Sequence, residues 1–259
     1  YFYTVKASNK VGTSAPSAEL GANAALPGPW RSRDIGDVQV SGFTEYNGER
    51  FTLEGEGVEI NGTSDSFHFA YAKYSGQGTI TARIVRPMSS QWTKPGVMMR
   101  ESLDADSRHA SVLLLPHWSG ALVTRTETGG ETTTHGARHL GEAHIIKKNR
   151  LSTPYWVRLI RFRNQFTGYI SPDGVQWQQL GSVEIPMSST CYVGLPACSQ
   201  LDKVTTTVTY DNVSIPLWRM TDGDRQITAR PEPRWHKEPW CKRHDAFNER
   251  VREGNVGML

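Results

Sequence analysis

The sequence predicts an all-β sandwich, and three observations carry that expectation. Short runs rich in Val, Ile, Thr and aromatic residues recur along the chain, separated by clusters of Gly, Ser, Pro and Asn. Between Pro29 and Pro216 no stretch keeps a convincing helical period. One connection, Ser171-Pro172-Asp173-Gly174, has the residues of a tight turn, with proline setting φ early and glycine at a position that tolerates φ > 0.

Taken in order, residues 51–53, 78–84, 110–114 and 156–162 read as strands. "QFTGYIS" and "VQWQQLGSV" flank the turn and read as a β-hairpin, "CYVGLPAC" is strand-like, and residues 204–215 alternate Thr and Val as the last strand. So many antiparallel strands in one span imply two packed sheets, a sandwich or jelly roll. One face of each strand enters the core, which makes Ile80, Ala82, Ile84, Val112, Leu114, Val157, Leu159, Phe166, Val193, Leu195 and Val213 the expected core residues.

On either side the composition changes. Residues 21–29 are small residues and prolines with little to bury and read as a linker. Residues 217–239 are rich in Arg, Pro and Trp without a period. Beyond them Phe247 and Val251 stand four apart before Gly254-Asn255, the pattern of a short helix and its stop, so a short C-terminal helical tail is expected. Val256 to Leu259 is an apolar run of the kind that starts a buried strand, and the chain opens on the strand-like "YFYTVKA" with no methionine or basic leader. The expectation is a piece of a longer protein.

With 259 residues and 37% hydrophobic content the chain can bury one large core or two small ones. No run approaches the roughly 18 apolar residues of a membrane span, so no membrane partner is expected. The net charge is +3, but residues 217–259 hold nine Lys/Arg against seven Asp/Glu, leaving 20 against 19 for the rest. A nearly neutral body argues against a nucleic-acid binder. Of the three cysteines, Cys191 and Cys198 flank one extended run that would hold them apart, so they read as small buried hydrophobes without a disulfide or zinc.

The opening "YFYTVKASNKVGTSAPSAEL", residues 1–20, resembles the last two strands of a fibronectin type III domain, with its Tyr-x-Tyr-x-Val strand and Asn-x-x-Gly turn. Residues 30–216 resemble the concanavalin A-like jelly-roll modules described as similar to regulation of enolase protein 1. The motifs are "RSRDIGDV", "GEGVEINGTSDSFHFAY", "GQGTITARI", "WTKPGVMMRESLDADSRHASV", "PYWVRLIRFRNQFTGYISPDGVQW" and "TYDNVSI". The tail, residues 217–259, with "WHKEPWCKRHDAFNERVREGNVGML", is similar to the entry into a GDSL/SGNH hydrolase domain, but no Gly-Asp-Ser occurs, and no Asp-x-x-His follows from residue 217 onward, where such a domain would carry its acid and base. A serine relay therefore cannot be assembled here. What these resemblances imply is a secreted, bacterial, multidomain protein whose catalytic part, an esterase, adjoins this accessory module.

Exposed aromatics with polar neighbours are the usual platform for sugars. Trp92, His117 and Trp118, with Arg100, Glu101 and His109, are the sequence's candidates for a glycan site; the bland reading has the tryptophans covering sandwich edges and Arg100 paired with Glu101 or Asp104. Asp104 and Asp106 alternate as calcium ligands do, but lack the glycine and distal glutamate of an EF-hand, so no cofactor is assigned and calcium has only these two candidates. His135, His139 and His144 read as solvated loop histidines, and Trp156, Tyr169 and Trp177 as packing residues on strands. The expected role is carbohydrate binding or substrate targeting for the adjacent hydrolase. The alternatives are a structural spacer or protein-interaction module, and a glycoside hydrolase or lyase using carboxylates among Glu54, Glu56, Glu59 and Glu101.

Overall fold

The computed structural model describes residues 26–85, 92–115, 119–139 and 154–219 continuously, with short pieces at 2–3, 6, 8–10, 12–15, 20–21, 145–146, 150–151 and 228–229. The chain divides into two compact units, Tyr1–Leu217 and Trp218–Leu259. Within the second, Trp218 and Arg219 pair with Ala229 and Thr228. The predicted C-terminal helix lies outside the described residues, as do Phe247 and Val251.

The body of the first unit is all β, as the alternating runs predict. Its strands are β1 (Arg31–Ile35), β2 (Phe43–Tyr46), β3 (Arg50–Gly57), β4 (Phe67–Ser75), β5 (Gln77–Ile84), β6 (Gly96–Arg100) and β7 (His109–Leu115), followed by β8 (Ser119–Arg125), β9 (Thr133–His139), β10 (Tyr155–Phe162), β11 (Gln165–Ser171), β12 (Gln178–Glu184), β13 (Thr190–Ala197) and β14 (Leu201–Ser214). The first sheet is seven-stranded, in the order β9-β8-β7-β6-β13-β4-β1, and the path through the second runs β12-β11-β10-β5-β14-β3-β2. Neighbouring strands pair antiparallel throughout both paths.

Alternation decides which side chains enter the core between the sheets. In β10, Tyr155, Val157, Leu159 and Arg161 point inward and are buried, while Trp156, Arg158 and Ile160 point out and are half-buried. Every expected core residue from Ile80 to Leu195 is in this cluster, and Val213 packs against it partly buried. The predicted turn forms as expected. Ser171 Oγ accepts the Gly174 amide at 2.8 Å, Asp173 Oδ1 accepts the Val175 and Gln176 amides at 2.8 Å each, and Gly174 has φ of 75°. Those amides hold the exposed Asp173 carboxyl below its ordinary range.

Cys191 and Cys198 are free and buried, on opposite faces of the first sheet. Two expectations need correcting. Residues 133–139 form strand β9, so His135 is not in a loop; its Nε2 lies 3.0 Å from Thr124 Oγ1. Trp177 precedes β12 rather than standing on a strand, and its indole N–H donates to Gly174 O at 3.0 Å. Leu26, within residues 21–29, packs partly buried against the core.

Candidate functional site

The outer face of the first sheet carries a second apolar cluster, which the alternation of β4, β6, β7 and β8 generates: Phe67 and Phe69, Met98, Leu113, Ala121 and Val123 are all buried there. Two connections contribute to that cluster. The segment between β3 and β4 supplies Ile60, and the one between β6 and β7 supplies Leu103 and Ala105. They are tied together where the Asp65 amide donates to Ala105 O at 2.9 Å.

At one end of this face three adjacent strands place Arg100, His109 and Arg125 side by side in register. Asp65 meets them from the loop. Arg125 Nη2 donates to Asp65 Oδ1 at 2.7 Å, Arg125 Nη1 to Oδ2 at 3.0 Å, and Arg100 Nη1 to Oδ2 at 3.3 Å. Backbone carbonyls take up further donors: Arg125 bonds Gly130 O and Gly62 O at 3.0 Å and Ser107 O at 3.1 Å, while Arg100 Nε bonds Ser102 O at 2.7 Å and Nη2 bonds Asp104 O. The side chains of Asp65, Arg100 and Arg125 are wholly buried. Removing two guanidiniums from water costs free energy that only this dense set of acceptors can offset. Burial lowers the Arg100 pKa to about 10, with Asp65 acting the other way. His109 is also fully buried; its Nδ1 lies 2.9 Å from Ser111 Oγ, and its Nε2 has no hydrogen-bond partner, 3.9 Å from Asp65 Oδ1. Burial pushes its pKa down to about 4, so the imidazole is neutral at physiological pH.

This cluster is a structural pin. It presents no group to a ligand, because everything in it faces protein. The part of the same face that reaches solvent is the neighbouring strip on β1, β4 and β13. Phe69 stacks on Tyr71 with centroids 5.6 Å apart and planes at 19°, and Tyr71 meets Tyr192 edge-on at 5.5 Å and 87°. Both tyrosines are half-buried. Register places Arg31 beside Tyr71, Arg33 beside Phe69 and Lys73 beside Tyr192. These three cations are exposed, and among the described residues none has a carboxylate partner.

The residues expected from sequence fall in different places. Trp92, 40% exposed, precedes β6 at its Gly96 end. Arg100 and Glu101 lie at the other end, about 13 Å of strand away. Arg100 and His109 belong to the buried pin, and Arg100 pairs with Asp65 rather than with the side chain of Glu101 or Asp104. Glu101 instead accepts the Ser188 amide at 2.7 Å and pairs with Arg108 at 3.6 Å. His117 and Trp118 lie outside the described residues, as do His144 and the side chain of His139. Asp104 Oδ2 accepts the Ser102 hydroxyl at 2.8 Å and Asp106 O accepts the Gly129 amide at 2.9 Å, so both sit in a hydrogen-bonded turn. Among the described residues no group of three or more His, Cys, Asp or Glu is disposed to hold a metal. Tyr71 and Tyr192 were missed, although the alternation in "FHFAYAKY" marks Phe67, Phe69 and Tyr71 as one face.

The carboxylates are engaged one by one. Glu54 accepts Thr205 Oγ1–H at 2.8 Å; Glu56, buried, accepts the Gln39 and Lys203 amides at 2.8 and 3.2 Å; Glu59 pairs with Lys94 and accepts Gln200 Nε2–H at 2.7 Å. Glu54 and Glu56 share one strand, so they cannot face each other across a cleft. Asp34, His68 and Thr44 have the connectivity of a relay, with His68 Nδ1 at 2.6 Å from Asp34 Oδ1 and Nε2 at 3.0 Å from Thr44 Oγ1. Thr44 is fully buried, however, so this chain of bonds ties β1 and β4 to β2 across the sandwich and offers no nucleophile to a substrate.

No family model matches the chain, and no curated protein does. Solved structures do. A functionally unknown protein from Saccharomyces cerevisiae superposes with a TM-score of 0.52 at 17% identity, over 72% of this chain and 94% of that one. The shared fold is a sandwich of two antiparallel β-sheets. The carbohydrate-binding module CBM66 from Bacillus subtilis gives a TM-score of 0.44 at 17% identity, covering 72% of this chain and 94% of its own. LamAcat from Zobellia galactanivorans gives 0.44 at 11%, covering 73% and 92%.

Proposed function

We propose that this jelly roll is a non-catalytic glycan-binding module that targets a neighbouring catalytic domain, an SGNH-type esterase, within a secreted multidomain protein. The observation that carries the reading is the half-buried Tyr71–Tyr192 pair, held by Phe69 and flanked by exposed cations on a rigid sheet. A tyrosine ring offers an apolar face to a sugar's C–H groups, and the neighbouring side chains donate to its hydroxyls. The engaged state of Glu54, Glu56, Glu59 and Glu101 supports binding over hydrolysis, since no two of them stand free as acid and base. Tethering would raise the local concentration of polymer at the enzyme without chemistry in this module.

The test is affinity electrophoresis of the chain against a panel of soluble polysaccharides, repeated for Tyr71→Ala, Tyr192→Ala and Trp92→Ala. Retention by at least one polysaccharide that falls tenfold or more, about 1.4 kcal/mol, in either tyrosine variant is the expected result. Retention that depends on Trp92 alone would move the site to the other end of β6. No retention by any polysaccharide would sink the reading in favour of a spacer.

A further inference from the structure

The stripe of cations beside the tyrosines says which glycans the site suits. Arg31 and Arg33 stand two apart on β1 and so share one face, and Lys73 lies one further row along on the adjacent strand. Same-face positions repeat about every 7 Å, so the three charges form a stripe roughly 14 Å long beside Tyr71 and Tyr192. Among the described residues each arginine spends one donor on protein: Arg31 Nη1 on Trp30 O at 2.9 Å and Arg33 Nε on Asp34 O at 3.2 Å. The nearest acid on β1, Asp34, points to the opposite face and is taken by His68 and the Gly42 amide. Several other cations are engaged: Arg83 forks onto Asp211 at 2.6 Å twice, Arg108 pairs with Glu101, and Arg158 covers the Trp177 ring at 3.7 Å. Arg31, Arg33 and Lys73 differ from these in forming a row without carboxylate partners among the described residues, beside sugar-sized aromatic faces, on a body whose total charge is nearly zero.

Building on the glycan-binding reading, we infer that the ligand is an anionic polysaccharide, a chain carrying carboxylate or sulfate groups. The tyrosines stack on its rings while Arg31, Arg33 and Lys73 receive its charged substituents. The guanidiniums suit this role because their planar forks match carboxylate and sulfate oxygens. Acidic protein would also meet a cationic stripe but brings no chain of rings to lay on the tyrosines, and single-strand nucleic acid, which would stack its bases there, is disfavoured by the nearly neutral body.

The experiment runs the whole chain through gels containing dextran, dextran sulfate, polygalacturonate or laminarin, with polyglutamate as a sugarless polyanion, at low and at about 0.5 M salt. Dextran sulfate or polygalacturonate should retard the protein more than dextran or laminarin, and salt should reduce the difference. The exposed-site variant Arg31→Gln/Arg33→Gln/Lys73→Gln should weaken anionic binding about tenfold and any neutral binding by clearly less, since Gln still donates to hydroxyls but carries no charge. Tyr71→Ala should weaken both. Retention by dextran or laminarin alone, insensitive to the triple change, overturns the anionic preference and leaves the module a glycan binder. Equal retention by polyglutamate, unaffected by Tyr71→Ala, overturns it as charge attraction only. No retention by any polysaccharide overturns both proposals together.

Discussion

Asp65→Asn tests the account of the buried pin. The substitution keeps the shape of the side chain and removes its charge, leaving Arg100 and Arg125 wholly buried and without a counter-ion. Breaking a buried pair from one side typically costs about 3–5 kcal/mol. Here the carbonyls of Gly62, Ser107 and Gly130 still hold Arg125, and those of Ser102 and Asp104 still hold Arg100, which argues for the lower half of that range. An Asn amide also turns two donors toward guanidinium donors, which argues against anything smaller. About 4 kcal/mol is expected, or roughly 8–16 °C in Tm for a domain of this size. Thermal melting and urea unfolding read it, and limited proteolysis should find the segment between β3 and β4 cut first, since Asp65 ties it to the sheet. A melting point within about 2 °C of the parent, with the segment equally protected, would refute the idea that this carboxylate holds the two arginines in place.

His109 and Tyr210 give two further tests. With its pKa near 4 in the fold against an ordinary 6.5, the imidazole binds more protons unfolded, so its contribution is full above about pH 6.5 and lost as the pH falls toward 4. The loss approaches roughly 3 kcal/mol, and His109→Gln should flatten the fall in stability between pH 6.5 and 5; an unchanged slope would show that the imidazole is not held neutral. The buried Tyr210 hydroxyl donates to Pro196 O at 2.6 Å and accepts from the Gly96 amide at 3.0 Å, so Tyr210→Phe strands one acceptor and one donor. About 1–3 kcal/mol should disappear from urea unfolding, and a neutral variant would mean that water replaces the hydroxyl there.

What could be seen in the sequence was what repeats with a short period. Residues 156–162 and 204–215 announced their strands because side chains alternate against one buried face, and the Pro-Asp-Gly turn announced its hairpin because φ is constrained locally. β6, "GVMMR", was missed as an element, since all five residues are buried on both faces and alternation vanishes. β1 hid for the opposite reason: as "RSRDI" it reads as polar chain until its pairing with β4 is known. At the site, Arg100, Glu101 and His109 were found as polar neighbours of strand ends, but nothing local shows that Asp65, tens of residues away, would bury two of them. Tyr192 becomes a neighbour of Tyr71 only through the pairing of β13 with β4, a contact that no short window contains.

β1 closes the path of the first sheet, and this has a consequence for how the protein behaves in a crowd of its own copies. A terminal strand offers a row of amides and carbonyls on which another chain can template itself. Five residues long and carrying Arg31, Arg33 and Asp34, β1 makes a poor template, because an incoming strand would have to bring its own charges against these and strip their water. The arginines that await a ligand thus also discourage the molecule from adding strand to strand, and a chain relieved of them should be watched for fibres as well as for lost affinity.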